Sequence, residues 1–343
     1  MTGVPTGREK KSFFPSVFVC LPQKICYNNT MESQNGKNSL FKDLTAERQS
    51  GLTYSAAAVL PVIISFVFLL VVQLIGLTDA EGKYTSEEWY LYCNFLLPQL
   101  SFALVAFLFF RMTKTPVGTV AGKCRAKYFL LAILLQVGLF SLSFVNGLFL
   151  DFLGRFGYEN SEITLPSLDG AGVIGVLLVV GLLPAVFEET IFRGIVLRGL
   201  KSFGAVGAVL ICGALFSLYH ENPAQTIYQF LCGAAFALVA LRSGSILPTV
   251  LSHFLNNAVI VVLTKFGIES YPSAVAVPLM IVSALCLVGS LVWLIFFDGP
   301  KRSENPEPSN GTSDKKGFFL YAALGILVCA VMWLSVLATG FGN

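Results

Sequence analysis

The stretch Phe187-Glu188-Glu189-Thr190-Ile191-Phe192-Arg193-Gly194 lies inside a segment that is otherwise apolar enough to cross a bilayer. A charge at the bilayer centre costs at least about 2.5 to 3.5 kcal/mol on insertion scales. Ionisable groups in spans therefore face the bundle interior, pair with one another and carry function. Glu188 and Glu189 are successive, about 100° apart round a helix, whereas Glu189 and Arg193 share a face. Glu189 is thus expected to pair with Arg193, leaving Glu188 to point elsewhere. Glu188 facing a wet cavity could serve as a general base. The same stretch could also be a structural ion pair that locks two helices, with Glu188 protonated. On this stretch alone the two readings weigh about the same.

Working outward, the 343 residues are 55% hydrophobic and 13% charged, with mean hydropathy +0.73. A soluble domain carries about 25% charged residues, so the composition excludes a soluble enzyme and implies an all-α, polytopic transmembrane bundle. Cys93, Cys212, Cys232, Cys286 and Cys329 fall in or at the ends of apolar runs without regular spacing. They read as buried thiols that fill helix surfaces. Cys20, Cys26 and Cys124 fall in segments assigned to the reducing cytoplasm. No CxxC pair or Cys/His metal knuckle is present.

Residues 1-51 form a polar N-terminal segment with a short aromatic patch at Phe13 to Leu21, too short to span. Met31 is a possible alternative start. Nine spans follow, near 53-77, 89-110, 128-150, 171-199, 203-220, 224-241, 246-264, 272-297 and 317-340. They group as accessory helices (52-170), a core carrying the polar residues (171-264), an eighth helix (265-297), a flexible loop (298-316) and a detached ninth helix (317-343). With the N-terminus inside, the inner loops hold Arg111, Lys114, Lys123, Arg125, Lys127, Arg198, Lys201, Arg242, Lys301, Arg302, Lys315 and Lys316. The outer segments hold only Lys83, Arg155 and Lys265 among many acids. This positive-inside distribution fits nine spans, which puts the C-terminus outside. The patterns Asn28-Asn29-Thr30 and Asn310-Gly311-Thr312 would then both be cytoplasmic.

The chain has two histidines, His220 and His253, and both fall in spans near the acidic stretch. Phe216 and His220 share a helical face, as do His253 and Asn257. Counted from the turn at Lys201 to Gly204, Glu189 and His220 lie at similar depth in an antiparallel hairpin. His253 lies about 12 Å inward from Arg242 to Ser245. One site in the cytoplasmic half or the middle of the membrane is therefore expected. His220 fits it least well, since a straight helix carries it toward the outer face and a tilt or kink must lower it.

The three elements EExxxR, FxxxH and HxxxN, in this order on successive membrane helices, resemble the CAAX-processing and bacteriocin-processing (CPBP, Abi or type II CAAX prenyl endopeptidase) family of intramembrane proteases. Asn222-Pro223-Ala224-Gln225 and Ser243-Gly244-Ser245-Ile246-Leu247-Pro248 look like bacterial members. The resemblance implies that Glu188 and His220 activate a water, that His253 and Asn257 stabilise the oxyanion, and that Glu189 and Arg193 support them. No cofactor is expected. Because the family is often catalogued as metalloprotease, zinc held by Glu188, His220 and His253 is the alternative, disfavoured because there is no HExxH helix and Asn is a poor zinc ligand. The expected partners are a peptide or small membrane-protein substrate and the lipid bilayer, with no nucleic acid. The expected location is a bacterial plasma membrane. Two non-proteolytic readings stand beside this one: a proton-linked transporter, and a non-catalytic immunity or scaffold protein.

Overall fold

A computed structural model describes residues 41, 43-77, 87-160, 163-268, 271-298 and 313-341, all within one compact unit, Ser39–Asn343. The expectations placed on Phe13 to Leu21, on both glycosylation patterns and on most of the loop 298-316 lie outside these residues. Every regular element among the described residues is helical. In order they are α1 (Ala46–Leu74), α2 (Glu88–Thr113), the short α3 (Val117–Ala121), and α4 (Lys127–Leu139) followed by α5 (Leu142–Gly154) as one span. A continuous rod follows: α6 (Gly172–Val176), a π-helical stretch Leu177–Leu182, α7 (Leu183–Glu189), a second π-helical stretch Thr190–Val196, and α8 (Leu197–Leu200). Beyond it come α9 (Gly204–Tyr219), α10 (Thr226–Ser243), α11 (Leu247–Lys265), α12 (Ser273–Val292) and α13 (Lys315–Gly340).

Among the described residues eight stretches are long and apolar enough to cross a bilayer, against nine expected, because Gly172–Tyr219 counts as one stretch of 48 residues. It is not straight. Gly204, at φ 79° and ψ 166°, breaks it after a single 3-10 turn. Cys212 Sγ lies 3.6 Å from the Phe192 carbonyl, and the Phe192 and Phe216 rings are 5.0 Å apart. Twenty residues of unbroken helix would separate such groups by about 30 Å. The stretch is a hairpin whose arms correspond to the fourth and fifth expected spans.

Side-chain ties define the two ends of the bundle. At one end Ser245 Oγ donates to the Ala121 carbonyl (2.5 Å), Ser50 Oγ to that of Ile195 (2.8 Å), and Arg48 pairs with Asp314 (2.5 Å). Lys127 pairs with Asp298 at the same end. At the other end the Ser167 N–H donates to Glu88 (2.7 Å), Lys265 to the Leu168 carbonyl (2.6 Å) and the Glu159 N–H to that of Gly340 (2.8 Å).

The last helix is not detached. α13 packs along α1, where Gly51 and Gly325 let the backbones approach closely: a Cβ on Gly51 would meet the Phe318 carbonyl, and one on Gly325 would meet Ser55 Cα. Ser55 Oγ donates to the Tyr321 carbonyl (2.7 Å) and accepts from the Gly325 N–H (3.1 Å). In hydrocarbon, close packing of small residues and interhelical hydrogen bonds replace the hydrophobic driving force. The core beneath is aromatic, with Tyr54, Phe102, Phe192 and Phe216 fully buried.

Candidate active site

Glu188 and Glu189 end α7, between the two π-helical stretches of the rod. Such departures from the 3.6-residue period re-aim side chains and concentrate at functional sites. Glu189 is completely buried, and its Oε1 accepts from Arg193 Nη1 at 2.7 Å. The same oxygen accepts from His253 Nδ1 at 2.9 Å. Arg193 also donates to the Gly233 carbonyl (3.3 Å), and its guanidinium lies 4.1 Å from the centroid of the Phe216 ring. The aromatic face offers this cation an interaction that hydrocarbon cannot.

Glu188 points the other way, as the 100° offset requires. Its Oε2 lies 3.9 Å from His253 Nε2, beyond hydrogen-bond reach, and has no hydrogen-bond partner although buried. His253 therefore stands between the two carboxylates, one on each ring nitrogen. With His253 as imidazolium and Glu188 ionised, or with both neutral, the four side chains Glu188, Glu189, Arg193 and His253 sum to zero charge. This balance lets two acids lie side by side in a low-dielectric interior.

Asn257 is tied to the rod: its Nδ2 donates at 2.9 Å to the carbonyl of Val180, within the first π-helical stretch, leaving its second amide hydrogen uncommitted to this bond. Its neighbour Asn256 accepts through Oδ1 from Tyr228 (2.7 Å) and Gln136 (2.9 Å), and Gln136 accepts from Ser252 (2.9 Å). A chain of polar groups thus holds α11 in a fixed rotation about its axis.

His220 caps the end of α9, and its Nδ1 lies 2.8 Å from the Phe216 carbonyl. A carbonyl only accepts, so Nδ1 carries the proton and Nε2 is left with a lone pair. The next residue, Glu221, adopts φ 52°, in the left-handed region that costs an L-residue roughly 1 to 2 kcal/mol. Partial burial at this turn pushes its carboxyl up to about 7.

Glu188, His220, His253 and Asn257 line one cavity of about 610 Å³. The kink invoked to lower His220 is not needed, because the cavity extends up to that end of the hairpin. It reaches Ile163, Leu165 and Thr264 at the end of the bundle away from the basic loops. Glu189 and Arg193 do not line it. Side-chain amides do: Gln99, Asn146, Gln225, Gln229 and Asn256, together with the Tyr228 hydroxyl. The motif pattern names none of these as a site residue, although each uncharged polar group inside an apolar span is a signal of the same kind as Glu188.

The zinc alternative requires Glu188, His220 and His253 to converge. Among the described residues no three His, Cys, Asp or Glu side chains are grouped to hold a metal ion. As grouped among the described residues, the side chains present do not fit a zinc site.

Residues 170-259 match the family described as Rce1-like: Type II CAAX prenyl endopeptidase Rce1-like. Comparison with curated proteins and with solved structures gives no match. The matched residues include Glu188, Glu189, Arg193, His220, His253 and Asn257. Over that segment the chain is similar to the type II CAAX prenyl endopeptidase family.

Proposed function

We propose that the chain is an intramembrane endopeptidase that hydrolyses a peptide bond with an activated water and no metal. The observation that carries this reading is the convergence of Glu188, His220, His253 and Asn257 on one cavity, with Glu188 Oε2 buried and unpartnered at its wall. A carboxylate oxygen without a partner is free to take a proton.

The chemistry follows from the placement. A water beside Glu188 and His220 Nε2 attacks the scissile carbonyl carbon, and its proton passes to Glu188. The carbonyl oxygen becomes an oxyanion. His253 Nε2–H, in the imidazolium that Glu189 stabilises through Nδ1, and the second amide hydrogen of Asn257 are the donors for it. Donors fixed in a dry site contribute about 3 to 4 kcal/mol each at such an oxygen. When the tetrahedral adduct collapses, the C–N bond breaks and Glu188 returns the proton to the leaving amine. Arg193 orients Glu189 and touches no reacting atom in this scheme.

The test is quantitative comparison of protein termini in membranes from cells carrying the wild-type chain or Glu188→Ala. Termini that appear only with the wild-type chain, at equal expression, are expected. Identical termini in the two membranes would remove the protease reading.

A further inference from the structure

Glu188 stands near the middle of the rod, about 24 Å from Gly172 and about 18 Å from Leu200 at roughly 1.5 Å per residue. From there the cavity runs in one direction only. Its far wall is formed by Ile163 and Leu165 in the segment before α6, by Asn222 after His220, and by Thr264 at the end of α11. Ile163 is 60% exposed, so this is a mouth. Among the described residues none of the lining comes from the loops at the opposite end.

That opposite end carries Lys114, Arg125, Lys127, Arg198, Lys201 and Arg242. The end with the mouth carries Glu88, Asp151, Glu159 and Asp169, with only Arg155 and Lys265 as basic residues among those described. Basic loops remain in the cytoplasm. A second hollow of about 780 Å³ does open at the basic end, but it reaches only as far as Arg193 and shares no lining residue with the first. The buried Arg193–Glu189 pair, with Val120 packed against Gly194, stands between that hollow and Glu188.

We infer that the catalytic cavity opens to the extracytoplasmic side, so that its substrates are exported or membrane-anchored polypeptides that reach Glu188 from that side. The lining agrees with a peptide rather than a charged small molecule. Apart from Glu188 and the two histidines it has no ionisable group but the Tyr228 hydroxyl and the Cys232 thiol, and it presents amide side chains that match the donors and acceptors of an extended backbone. Two of them, Gln99 Oε1 and Asn146 Oδ1, are buried acceptors without a partner, placed to receive backbone N–H groups. This inference rests on the protease reading for its substrate and on charge and geometry for its direction.

Two single-cysteine additions test the direction without any cleavage: Ile163→Cys at the mouth and Thr119→Cys, exposed on α3 at the basic end. Each is compared with the parent chain for labelling by a membrane-impermeant maleimide, in intact and in permeabilised cells. Ile163→Cys is expected to label in intact cells as strongly as after permeabilisation, and Thr119→Cys only after it. Labelling of Ile163→Cys only after permeabilisation, or not at all, overturns the inference, as does labelling of Thr119→Cys in intact cells. The second arm maps where the termini lost in Glu188→Ala membranes fall on their parent proteins. Extracytoplasmic positions are expected, and cytoplasmic positions overturn the inference. If no termini differ while Ile163→Cys labels from outside, the outward mouth stands and the protease reading alone fails.

Discussion

Asn257 donates its side-chain N–H at 2.9 Å to the carbonyl of Val180, in the π-helical stretch that precedes Glu188 on the rod. A residue expected in the site from the HxxxN pattern is thereby fixed against the helix that carries the acid. Asn257→Leu removes this bond between helices, at a cost of about 0.5 to 1.5 kcal/mol. Thermal unfolding of the variant and the parent in detergent measures it, and equal melting temperatures would show that the bond does not hold the two helices.

Glu188 has no ion-pair partner closer than His253 at 3.9 Å, and its side-chain hydrogen bond with Gln99 is one that a glutamine can keep. Glu188→Gln is expected to keep the melting temperature of the parent and to lower turnover about 10²- to 10⁴-fold, the usual contribution of a positioned acid or base. A variant that melts well below the parent would show that this carboxylate is structural.

Arg193 presents the opposite case. It is buried on Glu189, and removing one partner of a buried pair costs about 3 to 5 kcal/mol because the other charge is left uncompensated. Arg193→Met is expected to lose most of its folded population. The double variant Arg193→Met with Glu189→Leu, which removes both charges, is expected to recover much of it without recovering activity. Circular dichroism melts separate these outcomes, and a single variant as stable as the parent would refute the assignment.

The Glu221 carboxyl, raised by burial from an ordinary 4.5 to about 7, makes stability depend on pH. The folded state binds this proton more tightly than the unfolded state. The stability it supports is therefore fully present below about pH 4.5 and is lost as pH rises through about 7. Glu221→Gln mimics the protonated form, so it is expected to match the parent near pH 4.5 and to melt higher at pH 8. Parallel melting curves at every pH would contradict this sign.

The membrane class, the placement of the spans and the identity of the acid and histidine cluster were legible in the sequence. Each follows from a local cost: an apolar run of about 20 residues has one natural environment, and a charge inside it demands an interior partner. The i,i+4 geometry likewise fixed the pairing of Glu189 with Arg193, because both groups lie on one helix. Tertiary structure alone decided that His253 Nδ1 turns to Glu189, that Asn257 is held by the Val180 carbonyl, and that α13 lies against α1. Those contacts join residues tens to hundreds of positions apart, and no local periodicity encodes the rotation of one helix against another. The direction in which the cavity opens needed both: the sequence supplies the charge at each end of the bundle, and only packing shows which end is hollow.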